Sequence, residues 1–473
     1  MRFRWCIRAL AIVSLLALAG CSSGAPGTFG SAPTQTGTVS VVMTDTPPSG
    51  VTILAFTILV SSATLNTSTS KIVVPTPTSP IEVTRLQTET GFISSNAIAA
   101  GNYTSVTLTF SNPSLTFENN TGATLTVAGN MCANGSVCTV SPTAVNTTTT
   151  ISLPSTLAVT MGSSDTLDVD LSLTNLFSNT LSADFAAGSS VSIISPALDQ
   201  TLPSFEDVVA EVTSVDTTHS TVTLENSVGT SVATVNSSTV FHDFPSACKS
   251  TLASCVSVGQ ILAANMDLQS TAALIATDLY FKDASSSEPE VEGVITSVNT
   301  PAQQFNMVVL DESAPGGIAG LQIGTNATVN STGAAFTVDD VGMDTTGYLF
   351  TGMSDLMPGQ EVSVLQSSLS GTTLAADRVL LRDSRFSATV SKTACPDFTA
   401  ASLPSIFVAA GTSQISVVTS SVAANGLTEF LGKANECSAI LGNGTAIVSL
   451  RGQLFSVAGG GLPTLVASKV IEH

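Results

Sequence analysis

The sequence predicts an all-β protein, with an N-terminal β-sandwich followed by three small β-barrel-like modules. Short segments of alternating apolar and polar residues, separated by Gly, Pro, Asn and Ser, run from residue 37 almost to the end of the chain. No 3.6-residue apolar period lasts beyond about three turns. The chain has 473 residues, more than one core usually holds, so several domains are expected.

The first predicted domain, the sandwich, covers residues 37–205. Its segments "SVTLTF", "ATLTVAG" and "DTLDVDLSL" alternate with a period of two. In the last segment, Leu167, Val169 and Leu171 share one face, and the intervening aspartates share the other. The pattern therefore predicts strands with one buried face.

A repeat sets the boundaries in the second half of the chain. The segment "VGQILAANMDLQSTAALIATDLYFKD" matches "PGQEVSVLQSSLSGTTLAADRVLLRD", and a weaker copy ends in "TLVASKVIE". All three close on a Leu-x-Ala-x-x-Leu/Val pattern, which begins at Leu274, Leu374 and Leu465. Each unit contains enough strands for a small, partly open barrel of the oligonucleotide/oligosaccharide-binding (OB) type, with a small sandwich as the alternative. The predicted modules are 206–284, 290–385 and a divergent 386–473.

Two family resemblances agree with this division. The segments "GTVSVVMTDTP", "AAGNYTSVTLTF" and "DTLDVDLSLTNLF" make residues 37 to about 204 resemble domain of unknown function 4382. The unit "AEVTSVDTTHSTVTLEN…ATVNSSTVFHD…VGQILAANMDL…LIATDLYF" resembles domain of unknown function 5666, as does the copy up to residue 385. The last unit departs most, in its middle around Cys395 and Cys437. The shared motifs are strands and turns, so the resemblances imply an architecture and no catalytic residue.

The N-terminus reads as an export signal that ends on a cysteine. Arg2, Arg4 and Arg8 precede an apolar run of about eleven residues, which is too short to span a bilayer. The run ends in "LAGC", which resembles the lipobox of bacterial lipoproteins. The resemblance implies a lipoprotein signal peptide over 1–20, a diacylglycerol on the thiol of Cys21, and acylation of its new amine by a fatty acid such as palmitate. The alternative is an ordinary signal with an incidental cysteine. Several acyl chains would anchor the protein durably to the membrane.

The segment after this cysteine, "SSGAPGTFGSAPTQT", is uncharged and aperiodic, which predicts a flexible tether over 21–36. Ser22 follows the cysteine. In lipoproteins this residue suggests delivery to the outer membrane where a second membrane exists, so the predicted location is the cell envelope.

The charge of the chain argues against nucleic acid as a partner. Removal of the signal would leave 11 basic residues against 34 acidic ones, a net charge of −23. Binding of phosphates needs a basic face. The same negative charge disfavours electrostatic binding to anionic lipids, so the protein is expected to contact the membrane through the lipid on Cys21.

Six further cysteines fall into pairs by spacing, and an even number in an exported chain indicates disulfides. A zinc site is the alternative, but the sequence has no Cys-x-x-Cys, and His242 is the one histidine near a cysteine pair. The predicted bridges are Cys132–Cys138, Cys248–Cys255 and Cys395–Cys437.

Candidate catalytic and metal-binding residues are few. The chain has no Gly-x-Ser-x-Gly, no Gly-rich phosphate loop and no His-Glu-x-x-His. His219 is expected in a hairpin turn and His242 at a strand end. Asp45, before two prolines, suits a turn. Three aspartates of "VDDVGMDTTG" are weak Ca²⁺ candidates whose order does not match an EF-hand: Asp339, Asp340 and Asp344.

These features predict a non-enzymatic, lipid-anchored envelope protein with a structural, adhesive or ligand-binding role and no cofactor. Its expected partner is a surface protein or a glycan. The alternative is an envelope hydrolase that uses acids the sequence does not single out. The expected arrangement is a sandwich near the membrane that carries the three modules outward in a row.

Overall fold

A computed structural model gives the fold. It describes residues 36–46, 51–74, 76, 80–88, 91–161, 164–178, 180–188, 190–196, 204–226, 229–242, 244–245, 248, 251–269, 273–283, 290–313, 320–339, 343–421, 427–432, 436–440, 446–457 and 461–473. The described secondary structure is almost entirely β, which confirms the predicted fold class. The predicted signal peptide, Cys21 and almost all of the tether lie outside the described residues.

The N-terminal part contains two main sheets. One has the strand order β14-β12-β1-β5, and the other has the order β11-β6-β2-β3, with β4 on β2 and β9 on β6. Strands β1 and β12 are parallel, and most neighbouring pairs are antiparallel. The elements are β1 Thr36–Thr46, β2 Thr52–Asn66, β3 Lys71–Val74, β4 Ile81–Glu82, β5 Gly91–Ala99, β6 Gly101–Glu118, β7 Leu125–Val127, β8 Asn130–Cys132, β9 Val137–Val140, β10 Ala144–Val145, β11 Thr148–Val159, β12 Ser164–Ser172, α1 Leu173–Leu176, β13 Ala183–Asp184 and β14 Val191–Pro196.

The faces of the two sheets enclose one apolar core. Leu167, Val169 and Leu171 are fully buried in it, as the alternation predicts. Tyr103 is also buried in this core, and its hydroxyl donates to the carbonyl oxygen of Ala99 at 2.7 Å. The hydrogen bond satisfies the polar end of an otherwise apolar side chain.

The next eighteen strands form three sheets with the same topology. Their elements are, in module 1, β15 Ser204–Asp216, β16 Thr221–Asn226, β17 Gly229–Thr234, β18 Val240–His242, α2 Leu252–Cys255, β19 Ile261–Leu268 and β20 Leu274–Asp283; in module 2, β21 Glu290–Asn299, β22 Gln304–Ser313, β23 Asn326–Asn330, β24 Ala335–Val338, β25 Glu361–Ser370 and β26 Thr373–Leu381; in module 3, β27 Asp383–Ala394, β28 Asp397–Ala401, α3 Ser405–Ala409, β29 Gln414–Val418, β30 Glu429–Gly432, β31 Ile447–Phe455 and β32 Thr464–Glu472.

Each of these sheets closes on itself. In module 1 the order is β17-β16-β15-β19-β20-β18, and β17 also pairs with β20 in parallel, so that five strands complete a ring. Modules 2 and 3 repeat this order and this parallel closure. The leucines of the Leu-x-Ala motif lie at the closure and pair with the third strand, at Ala233↔Leu274, Val329↔Leu374 and Val417↔Leu465. This topology is that of the OB-like barrel expected from the sequence.

The ends of the sheets differ slightly from the predicted boundaries. Module 1 begins with β15 at Ser204, whereas the sequence placed its start at 206. Module 3 begins with β27 at Asp383, which pairs with Gln453 of the same sheet, whereas the sequence placed its start at 386. The repeat motif does not mark these positions, because pairing with the closing hairpin extends the first strand backwards.

The modules are not arranged as a row that leads away from the sandwich. Module 1 has its own apolar core, drawn entirely from its own residues. Leu54 of the sandwich, by contrast, packs into one apolar cluster with Leu310 of module 2 and Phe386 of module 3. The hydroxyls of Thr116 and Thr139 in the sandwich donate to the carbonyl oxygen of Gly324 in module 2, both at 2.9 Å. The sandwich therefore packs directly on the last two modules.

Candidate ligand-binding site at the junction of sandwich and modules

A cavity of about 480 Å³ lies where the sandwich meets modules 2 and 3. Strand β2 and the 3-10 turn Thr84–Gln87 line it from the sandwich. Strands β21, β22 and β25 line it from module 2, and β27, α3 and β31 line it from module 3. Three parts of the chain that are distant in sequence therefore build one concave site.

The walls of this junction cavity are mainly apolar. Among the lining side chains, the following are buried and belong to one apolar cluster: Leu54, Leu310, Phe386, Leu403, Ile406 and Phe407. Val408 and Ile447 also line the cavity, yet their exposed fractions are 54% and 48%. The apolar lining therefore continues from the interior to the solvent-exposed rim.

Phe407 is held in place by two close neighbours. Its ring packs edge-on against that of Phe386, with 4.9 Å between centroids. On another side it lies on Gly359, where a Cβ atom would collide with the ring. Gly359 has a φ of +90°, a conformation that also favours glycine. The absence of a side chain at this turn therefore makes room for the aromatic wall of the cavity.

Charged side chains also line the cavity, and they belong to a network of ion pairs. Arg85 of the sandwich makes ion pairs with two acids of module 2, Glu292 and Asp311, the latter at 3.1 Å. Arg385 of module 3 pairs with Glu361 of module 2 at 2.5 Å, and its guanidinium lies 4.0 Å from Glu292. This junction network therefore joins two arginines to three carboxylates across the three parts of the chain.

The charge of Glu292 depends on its arginine neighbours. Burial alone would raise the pKa of its carboxyl, but Arg85, Arg382 and Arg385 together hold that pKa below its usual value. Glu292 is therefore ionised at neutral pH.

Arg85 is positioned by an acid within the sandwich. The buried carboxylate of Glu82 accepts hydrogen bonds from the backbone amides of Phe56 at 2.9 Å and Arg85 at 3.0 Å, and from the Thr84 hydroxyl at 2.8 Å. Burial raises the pKa of Glu82, although these donors and Arg85 oppose the shift. The bonds fix the 3-10 turn from which Arg85 reaches module 2.

A polar contact on another side joins the sandwich to module 3. The hydroxyls of Thr52 and Ser405 are hydrogen-bonded, and the Ser405 amide donates to Thr52 Oγ1 at 3.1 Å. The amide group of Asn120 donates to Ser405 Oγ and, at 3.2 Å, to a carboxylate oxygen of Glu118. Burial raises the pKa of Glu118. Helix α3, which begins at Ser405, is thereby held at the edge of the cavity.

The family comparison bears on the sandwich. Residues 36–196 match the family described as Domain of unknown function (DUF4382). This match agrees with the resemblance expected for the first domain, and the resemblance of the later modules to domain of unknown function 5666 stays a prediction. The DUF4382 segment contains Thr52, Glu82 and Arg85, and so supplies the sandwich side of the cavity.

The comparisons with curated proteins and with solved structures provide no further support for a family or a function. None of the curated proteins compared matches the chain. Among solved structures, a chain described as "drosophila Unr CSD456" matches at 11% identity, covering 58% of this chain and 98% of that chain. The TM-score is 0.12, so this similarity supports no argument about fold or function.

The six predicted bridge cysteines lie in the predicted pairs. Cys132–Cys138, inside the DUF4382 segment, has a Cα–Cα distance of 6.0 Å. The distances are 4.8 Å for Cys248–Cys255 in module 1 and 5.8 Å for Cys395–Cys437 in module 3. All three are typical of disulfides, and none of the pairs lies in the junction cavity.

The aspartates considered for calcium have other partners. Asp339 makes an ion pair with Arg382. Asp344 is exposed and accepts the backbone amide of Thr346 at 3.0 Å, which closes a turn. Hydrogen bonds from the side chain and then the backbone amide of Thr346 lower the pKa of Asp344. Asp340 lies outside the described residues. Within the described part of the chain, no group of three acidic, histidine or cysteine side chains could hold a metal.

The remaining candidates lie away from the cavity. Asp45 is in strand β1, in register with Leu171, and not in the expected turn. His219 is exposed in a hairpin turn, where Asp216 contacts it at 2.6 Å and raises the pKa of the imidazole. His242 lies at the end of β18 with Asp278 at 2.9 Å, and its ring stacks on Tyr280. Neither histidine lines the cavity.

The residues that build the cavity were not identified from the sequence. Arg85, Glu361 and Arg385 are isolated in their segments, and only the fold brings them together. One indication was present, because the middle of the third repeat departs from the other two copies. The segment "SLPSIFVAA" within this departure contains α3 and Phe407.

Proposed function

We propose that this protein is a non-enzymatic, lipid-anchored protein of the bacterial cell envelope that binds a ligand in the junction cavity. The cavity supports the proposal because its walls are apolar and its volume falls in the range of small-molecule sites. Glu361, the carboxylate that lines it, is paired with Arg385 and is therefore a poor base. A structural or adhesive role at the cell surface is compatible with this site.

The lipid anchor is the second part of the proposal. The support is the lipobox-like "LAGC", and among the described residues no helix is long and apolar enough to cross a membrane. We expect Cys21→Ser to move the protein from the membrane pellet to the soluble fraction of lysed cells. Cys6→Ser, which changes a cysteine before the apolar run, is the matched control and should leave the protein in the membranes. A Cys21→Ser variant that still pellets after a salt wash would contradict the anchor.

The hydrolase alternative has a separate test. The purified protein is screened against glycan and peptide substrates of the envelope, with binding to the same compounds measured in parallel. Saturable binding without turnover supports the proposal. Turnover that is lost on Asp45→Asn, Asp340→Asn or Glu361→Gln would refute it and would name the acid responsible.

A further inference from the structure

We propose that the ligand of the junction cavity is an uncharged amphipathic molecule, with an apolar chain or ring and a hydroxyl or amide head. This inference rests on the proposed function for the existence of a ligand and adds its chemical class. The size of the cavity, the apolar path to solvent and the pairing of both lining arginines lead to it independently.

The size and the lining of the cavity favour a ligand whose main part is apolar. A cavity of about 480 Å³ accommodates a small organic molecule but not a folded partner. Leu54, Leu310, Phe386 and Phe407 come from all three parts of the chain and face this space together. Transfer of an apolar surface from water to such walls is favourable and needs no specific polar partner.

The rim indicates how such a ligand is oriented. Val408 on α3 and Ile447 at the start of β31 are large apolar side chains that remain about half exposed while lining the cavity. Single exposed apolar residues are common on protein surfaces, but two at the mouth of one apolar cavity form a continuous path. A chain that fills the cavity can cover both.

The ion pairs of the junction network disfavour a ligand with an anionic head group. Both guanidinium groups that line the cavity, Arg85 and Arg385, already have carboxylate partners. A ligand carboxylate would bring a further buried negative charge without an unpaired cation to receive it. A hydroxyl or amide head avoids this cost. The hydroxyls of Ser387 and Thr389 lie in the same lining, bonded to Ser449 and Ser402, and each oxygen has a lone pair that can accept a hydrogen bond from such a head.

Module 3 supplies a wall of the site that module 1 lacks. Its second and third strands are joined through residues 402–413, which include α3. In module 1 the corresponding strands end at Asn226 and resume at Gly229, which leaves no room for a helix. The departure of the third repeat therefore coincides with the binding surface.

The test uses the purified protein and an uncharged dye, N-phenyl-1-naphthylamine, whose fluorescence rises in apolar sites. Val294 lines the cavity from β21 and is only partly buried, so Val294→Trp fills the space without opening a core. We expect this variant to weaken dye binding about tenfold, and Ile447→Asp at the rim to weaken it about threefold. Val258→Trp, at a position 55% exposed in module 1, is the matched control and should bind like the parent. Thermal melting of each variant verifies folding.

Competition then distinguishes the ligand class from the site itself. At pH 8 we expect 1-decanol to displace the dye at least about tenfold more effectively than decanoate of the same chain length. Equal displacement by decanoate, or none by decanol, would overturn the assigned class while leaving the cavity as a binding site. No dye binding by the parent protein, or unchanged binding by a folded Val294→Trp, would overturn binding in the cavity, and with it the site given under the proposed function.

Discussion

At the scale of single residues, one turn recurs in modules 1 and 2. In both, a glycine with φ near +90°, Gly259 or Gly359, precedes a glutamine. Gln260 Oε1 accepts the amide of Ser257 at 2.8 Å, and Gln360 Oε1 accepts that of Met357 at 2.7 Å. The repeated "GQ" therefore has a structural role in a turn. The glycine adopts a positive φ without strain, and the glutamine side chain closes the turn by accepting a backbone amide.

Gly359 has a second role, because it leaves room for the ring of Phe407, and a substitution tests that role. We expect Gly359→Ala to lower the free energy of unfolding by about 2–4 kcal/mol, because it adds a collision with Phe407 to the cost of a positive φ. Gly333→Ala is the matched control: its φ is +82°, and a Cβ there would meet nothing within 4 Å. It should lose only about 1–2 kcal/mol. Urea unfolding of both variants measures the difference, and equal losses would contradict the role of Phe407.

At the scale of elements, the sequence predicted the barrels well because their signals are local. Alternation identifies strands, and the Leu-x-Ala motif marks the strand that closes each ring. The third module keeps this topology although its middle is rewritten, since Leu465 and Ala467 are fully buried, as are Leu374 and Ala276 in the other modules. Buried positions at the closure tolerate little change in size.

Contacts between elements were not predictable in the same way. Arg85 and Glu292 are separated by 207 residues, and nothing in the neighbourhood of either identifies the other. Asp45 precedes two prolines, as turn residues often do, yet its strand continues to Thr46 because it pairs with β12 from Thr38 to Thr46. Long-range pairing overrides local preference in this case.

The disulfides allow a prediction about individual elements. Cys395–Cys437 ties the end of β27 to the 3-10 turn Cys437–Ala439 across 42 residues, whereas Cys132–Cys138 spans 6. By loop entropy the bridges stabilise the fold by about 4 and about 2.5 kcal/mol. We expect the double variant Cys395→Ala/Cys437→Ala to melt at a lower temperature than Cys132→Ala/Cys138→Ala. Calorimetry compares them, and the opposite order would contradict the entropic account.

At the scale of the whole molecule, two of the few positive charges link different parts of the chain. The sequence has 14 basic residues, and within the described residues the side chains of four arginines are nearly inaccessible and form ion pairs. Arg85 links the sandwich to module 2, and Arg385 links module 3 to module 2. Arg382 pairs with Glu290 and Asp339, and Arg451 pairs with Asp383. Such buried ion pairs favour one arrangement of the sandwich and the modules, because a buried charge that loses its partner destabilises the fold.

This arrangement makes the junction sensitive to acid. The pKa of Glu292 is lowered in the folded state, so its contribution to stability is present above the pKa of the unfolded chain, about 4.3. That contribution is lost as the pH falls through the folded-state value. We expect Glu292→Gln to cost about 3 kcal/mol at pH 7 and clearly less at pH 3.

Urea unfolding at the two pH values measures this difference. Glu225→Gln, at an exposed position on β16, is the control and should change stability little at either pH. A cost for Glu292→Gln that is the same at both pH values would show that the charge of this carboxyl does not stabilise the junction.

The shared core of modules 2 and 3 has a consequence for how the chain can be made and rearranged. Phe455 and Val466 belong to the sheet of module 3 but pack in the core of module 2, where the ring of Phe455 stacks on Tyr348. During synthesis Tyr348 leaves the ribosome long before Phe455. The core of module 2 therefore stays partly exposed to solvent until Phe455 is made, whereas module 1 can complete its core from its own residues. Gene recombination that separated the last two modules would leave the second one permanently incomplete, so this pair is expected to be inherited together while module 1 can be exchanged.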